Sequence, residues 1–190
     1  MAAPTGPRYA PDTFALVAEH VDHTQRLAFA EGRVERVLDT LPMGSWYVQR
    51  FTLVAGHRIP FLVLGECGVF ALWAIAGRPQ WSDPAFVSDI AANVKRRLPE
   101  YPGPVNVGLC GVLQPDIKPR FWYRSGDGGG SWILGVGWLV PWMEHFGHEH
   151  GLNVKDIDRF RALATPDWSR PVAPVPPGIP IIDAHAPNAE

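Results

Sequence analysis

Thiols are scarce in this chain: Cys67 and Cys110 are the only two cysteines in 190 residues, too few for a disulfide framework. Both sit in apolar stretches, where a thiol behaves as a small buried hydrophobe, and neither has a cation beside it to activate it. That pattern fits a reducing compartment, and the expected location is cytoplasmic. Positive charge is not in excess either. Seventeen Lys and Arg against 19 Asp and Glu leave a net charge of -2, so no global field gathers a polyanion, and nucleic-acid binding would need a local patch. No window approaches the roughly 20 apolar residues that span a bilayer, and no charged start precedes an apolar run, so neither membrane insertion nor export is expected. Ser45, Ser82, Ser125 and Ser131 lack a glycine-elbow setting, which removes the commonest support for a serine nucleophile.

What the chain does contain is apolar periodicity. At 46% hydrophobic and 19% charged residues, its length suits one globular core. The expected organisation is a flexible 1–11, one domain over 12–165 and a proline-rich, disordered 166–190, with six prolines in the 23 residues from Trp168 to Glu190. Asp12 or Thr13 offers a helix cap. From Ala30 to Leu41, Val34, Val37, Leu38 and Leu41 recur at i, i+3, i+4 and i+7, an amphipathic helix ended by Pro42 and Gly44. Trp46–Val54 alternates as a strand. The stretch from Arg58 to Ile75 then reads as two strands buried on both faces around Gly65-Glu66-Cys67-Gly68. Asp83 caps a helix in which Phe86, Ile90, Val94 and Leu98 repeat every four residues, with Lys95, Arg96 and Arg97 in its last turn. Val105–Leu113 follows as a strand parallel to the third, reached by a right-handed crossover. Arg120–Tyr123 and Trp132–Val136 suit a hairpin around a glycine-rich turn that lacks the Lys-Ser/Thr of a phosphate loop. Two helices, Trp138–Phe146 and Val154–Leu163, close the domain.

This order resembles the restriction-endonuclease-like (PD-(D/E)XK) fold, an α/β architecture with an antiparallel three-stranded meander, a crossover helix and a parallel strand. The residues are similar to those of its nuclease-related domain (NERD) family. Ala30-Glu31 through Leu38-Asp39-Thr40-Leu41-Pro42 resembles the family's Gly-Glu, helix, Leu-x-x-Leu-Pro pattern. Ile59-Pro60-Phe61-Leu62-Val63-Leu64-Gly65-Glu66-Cys67-Gly68-Val69-Phe70 resembles its Ile-Asp-His, three apolar, Gly-x-x-Gly-Val-Phe signature with the spacing unchanged. The resemblance implies a bacterial protein and a site of one helix carboxylate, a strand Asp and an acid-x-Lys pair that together hold Mg or Mn and activate water. Here Glu31 retains the helix position, whereas Pro60, Trp73 and Ile75 stand at the other three. A proline provides no ligand oxygen and lacks the strand N–H, which predicts a bulge or an edge at Pro60. Trp73 and Ile75, two residues apart on one strand face, are expected to fill the former metal pocket with hydrocarbon.

The reading that follows is a catalytically inactive NERD-like domain, without cofactor, acting as an interaction or scaffold module. Its partner would be another protein, or a second copy, meeting an aromatic surface; of the tryptophans, among which Trp122, Trp132, Trp138 and Trp142 cluster in the last third, most are expected in the core and an exposed subset would form that patch. Two alternatives stay open. A divergent nuclease could recruit Glu31 with Glu66, Asp83 or a histidine around Mg or Mn. A non-cleaving nucleic-acid binder could use Lys95, Arg96 and Arg97 or Lys118, Arg120 and Arg124 beside Phe121, Trp122 and Tyr123, with weak affinity. His145, His148 and His150 are close enough to suggest a transition metal, but Gly147 ends the helix there and favours a surface terminus.

Overall fold

The computed structural model describes residues 11–54, 56–80, 83–126, 128–145 and 152–164, with 11–21 and 162–164 described by backbone alone. Residues 1–10 of the expected flexible 1–11, the expected disordered 166–190, and also His148 and His150, lie outside these residues, whereas Pro11 already belongs to a helix. Helix α1 (Pro11–Leu38) is a single 28-residue element. It begins on a proline, whose fixed φ and missing N–H suit a first helical position. No further proline interrupts it, so the capped start and the amphipathic stretch expected separately are one helix. Ala30, Val34 and Leu38 form its buried stripe, whereas no side chain from Asp22 to Phe29 is fully buried. Thr40 and Leu41 donate N–H bonds to Val37 and Leu38 carbonyls and close the last turn.

The meander follows as β1 (Trp46–Val54), β2 (His57–Gly65) and β3 (Gly68–Ile75). Helix α2 (Pro84–Arg97) crosses to β4 (Val105–Gly111), which pairs parallel with β3. Strands β5 (Arg120–Arg124) and β6 (Gly130–Gly135) form the expected antiparallel hairpin, with a register shift between Phe121 and Tyr123. β6 also pairs parallel with β4, giving a six-stranded sheet in the order β1-β2-β3-β4-β6-β5. A 3-10 turn (Val136–Trp138), α3 (Leu139–His145) and α4 (Val154–Ala164) complete the described chain. Asn153 caps α4 by accepting the Asp156 N–H at 3.0 Å.

Two apolar layers cover the sheet. One holds Ala30, Val34, Leu38, Phe61, Val63, Phe70, Leu72, Leu139, Trp142 and Met143 under α1 and α3. The other holds Ile59, Leu62, Leu64, Trp73, Phe86, Ile90, Val94, Ile157 and Phe160 under α2 and α4. β2 and β3 therefore carry hydrocarbon on both faces, as their continuous apolar runs imply.

Pro60 is not a bulge, but it stands where β2 is paired on the β1 side alone, the local edge that its missing N–H implies. The β1–β2 ladder keeps one register from Trp46↔Gly65 to Val54↔His57, while the β2–β3 ladder stops at Phe61↔Leu72, so Pro60 is not called on to donate to β3. What the chain has there is a kink: Phe51, which that register sets opposite Pro60, has φ +55°, an unusual conformation for a bulky residue. Facing flips across it. Val48 and Phe61 pack in the α1 layer, Val54 and Ile59 in the α2 layer.

Candidate functional site

The nuclease-like positions do not come together. Glu31 lies on α1 beside the buried Ala30, and its Oε2 accepts a hydrogen bond from Arg58 Nη2 at 3.3 Å. The Arg58 guanidinium lies 4.6 Å from the centre of the Phe51 ring. Glu31 Oε1 is buried without a hydrogen-bond partner, and burial pushes the carboxyl above its ordinary value, with Arg58 opposing the shift in part. Trp73 and Ile75 do share a face, but it is the face under α2, where Trp73 meets Phe86 edge-on at 5.6 Å. Glu31 belongs to the helix on the opposite side of the sheet. The expectation that Trp73 and Ile75 fill a pocket beside Glu31 is thus corrected: the crossover through α2 sets which layer they enter, and β3 side chains of the other parity, Leu72 and Ala74, face α1.

The relocated-ligand set is also dispersed. Asp83 Oδ1 accepts the Ala85 N–H at 2.8 Å as the cap of α2. Glu66 is exposed in the β2–β3 turn, at the far end of β2 from Arg58. His57 packs edge-on against Phe86 at 5.2 Å, and burial lowers its pKa while Asp89 partly raises it. Among the described residues no group of three His, Cys, Asp or Glu is arranged to hold a metal ion.

The basic residues divide between local tasks and the sheet margin. Lys95 Nζ donates to the Tyr101 and Gly103 carbonyls and Arg96 to Asn93 Oδ1, all close to the end of α2. Arg120 and Arg124 are exposed on β5, the last strand of the sheet, and Lys118 is exposed just before it. Arg124 lines a depression of about 220 Å³ together with Tyr101, Asn106, Phe121, Gly129 and Trp132. The glycine turn is pinned rather than loose: Asn106 Oδ1 accepts the Gly130 N–H at 3.3 Å, and the Ser125 N–H reaches the Gly129 carbonyl at 2.9 Å. A Cβ on Gly129 would meet the Val105 carbonyl oxygen at 2.2 Å. Backbone proximity explains that glycine without a phosphate.

Tryptophans define the other concavity. Trp132 from β6, Trp138 from the 3-10 turn and Trp142 from α3 line a groove of about 340 Å³ with Pro119, Pro141 and His145. Its indoles belong to a longer chain of rings: Phe121 meets Trp132 edge-on at 5.2 Å, Trp132 lies 6.3 Å from Trp142, and Trp142 meets Phe70 at 5.4 Å. Two close approaches hold it. A Cβ on Gly108 would come within 3.2 Å of the Trp142 ring, and the Gly135 and Gly137 N–H groups bond to the Ile117 and Pro115 carbonyls at 2.8 and 3.1 Å. Trp142 is buried, Trp132 half-buried and Trp138 exposed at 36%, so the rings pass from core to surface. Trp122, expected in the same group, packs instead on the α2 layer. The sequence singles out neither Pro119 nor Pro141, and His145, a candidate metal ligand there, lines this groove instead.

Protein-family models, curated proteins and solved structures were each compared with the chain, and none matches it.

Proposed function

We propose that this chain is a NERD-like domain without nuclease chemistry that acts as a protein-interaction module, and that its contact surface is the tryptophan groove. The groove carries the reading. Three indoles, graded from the buried Trp142 through the half-buried Trp132 to the exposed Trp138, line it with two prolines and an imidazole, and aromatic grooves are what extended, proline-rich segments use as a platform. The order of helix, meander, crossover helix and parallel strand supports the family likeness. The replacement of three carboxylate or lysine positions by Pro60, Trp73 and Ile75, together with the commitment of Glu31 to Arg58, supports the lack of cleavage.

Two measurements on the full chain test it. Trp138→Ala is expected to weaken binding of an oligoproline decapeptide tenfold or more, followed by indole N–H resonance shifts, while leaving the thermal unfolding midpoint unchanged. Plasmid incubated with Mg²⁺ or Mn²⁺ is expected to stay intact. Metal-dependent cleavage that Glu31→Ala abolishes would overturn the proposal, as would an oligoproline that leaves the groove indoles unmoved.

A further inference from the structure

The tryptophan groove and the depression beside Arg124 share a wall. Trp132 lines both, and a Cβ on Gly130 would meet its Nε1 at 2.7 Å, so the nitrogen edge of the indole overhangs the depression. Asn106 pairs with Phe70, and Arg124 with Gly130, two residues before Trp132. Phe70 and Trp132 belong to the layer under α1 and α3. Paired residues share a face and alternate residues return to it, so Asn106 and Arg124 lie on the groove's side of the sheet. A single extended ligand can therefore run from one hollow to the other past Trp132. We propose that the groove's ligand is a proline-rich peptide with a carboxylate about four residues from its groove-bound proline, and that Arg124 takes that carboxylate in the depression. This rests on the groove reading above and adds to it the charge and spacing of the partner.

The spacing follows from the ladder. Arg120 pairs with Ile133 and Arg124 with Gly130, which sets Pro119 level with Leu134, four residues along β6 from Gly130. Four strand residues span about 13 Å, and four residues of polyproline II span about 12 Å. Charge favours an acid at the Arg124 end. Arg124 is exposed and forms no ion pair among the described residues, which leave out Asp127 of the same turn. Asn106, 6% exposed, engages the Gly130 N–H through its Oδ1, so the group it can offer a ligand is its NH2, a donor. Lys95 adds a cation 4.7 Å from the centre of the Tyr101 ring. The carboxylates Glu66 and Glu144 act on the Cys67 thiol at the opposite end. That end is three strand spacings from β5, or about 14 Å, beyond the screening length of about 8 Å at physiological salt. At the groove end the signs balance: exposed Lys118 and Asp116 stand on either side of Ile117, and Arg120, opposite Ile133, faces the α2 layer.

Decapeptides with blocked termini test this on the full chain: oligoproline, and the same peptide with glutamate as its first or as its last residue. Binding is followed by the indole N–H resonance shifts of Trp132 and Trp138. One of the two glutamate peptides is expected to bind about threefold tighter than oligoproline or better, with a gain that shrinks as salt rises. In Arg124→Gln the gain is expected to vanish while the affinity for plain oligoproline stays unchanged. Lysine in place of the glutamate is expected to give no gain. No gain from either glutamate peptide, a gain that survives Arg124→Gln, or an equal gain from lysine would overturn the acid site and leave the groove reading standing. Failure of every peptide to bind would overturn both.

Discussion

Glu31 shows how a helix carboxylate can be committed to a structural partner. One carboxylate oxygen faces Arg58 and the other is buried without a partner, so the ion pair compensates the lost hydration only in part. The folded chain consequently holds the Glu31 proton more tightly than the unfolded chain does, whose carboxyl titrates near the ordinary value of 4.5. Above 4.5, unfolding releases that proton, and stability falls as pH rises through the window between the unfolded and the raised folded pKa; below 4.5 both states are protonated and the contribution is constant. Urea midpoints across that window are expected to fall with rising pH in the parent chain relative to Glu31→Gln. A constant difference between the two proteins would mean that the carboxyl is better solvated than its surroundings imply. The thiols point the same way on reactivity. Burial pushes Cys110 up to about 12, and burial with Glu66 and Glu144 raises Cys67, so neither is an activated nucleophile.

At the scale of elements, much of the architecture was legible because local chemistry announces it. Asp83 before Pro84, with apolar residues every fourth position after it, defines α2 at both ends, and its cap geometry is as the sequence implies. Asp83→Ala is expected to cost about 1 kcal/mol, read as a lower urea midpoint with an unchanged slope. The meander was legible for a similar reason, since Gly56, Gly68 and the short turns force neighbouring strands together. Two features were not. The pairing of β6 beside β4 skips the intervening strand β5, and non-local parallel pairing leaves no turn signal. The groove needed the same information: Phe121 and Trp122 alternate across β5, so one joins Trp132 and the other the opposite layer, and no count of tryptophans separates them. Spacing put Trp73 and Ile75 on a common face correctly. It could not say which helix covers that face.

The molecule as a whole is one sheet with two covers, and β2, β3 and β4 contribute side chains to both. Damage to either layer is therefore transmitted through a shared backbone. Trp73→Ala under α2 and Phe61→Ala under α1 remove side chains that are 1% exposed, and each is expected to cost about 3–5 kcal/mol. Both variants should keep a single unfolding transition that coincides by far-ultraviolet circular dichroism and by tryptophan fluorescence. Separate transitions for the two layers would refute the idea that they fold as a unit.

The two outer strands carry a further consequence. β5 is five residues long, bears arginine at each end and slips register at its centre, while β1 is bent out of regular pairing geometry at Phe51. Neither border offers the long, flat row of open amides that templates growth of one sheet onto another. Among the described residues, contacts made along these margins fall to side chains, and the six-stranded sheet is guarded against fibre formation by the shape of its own borders.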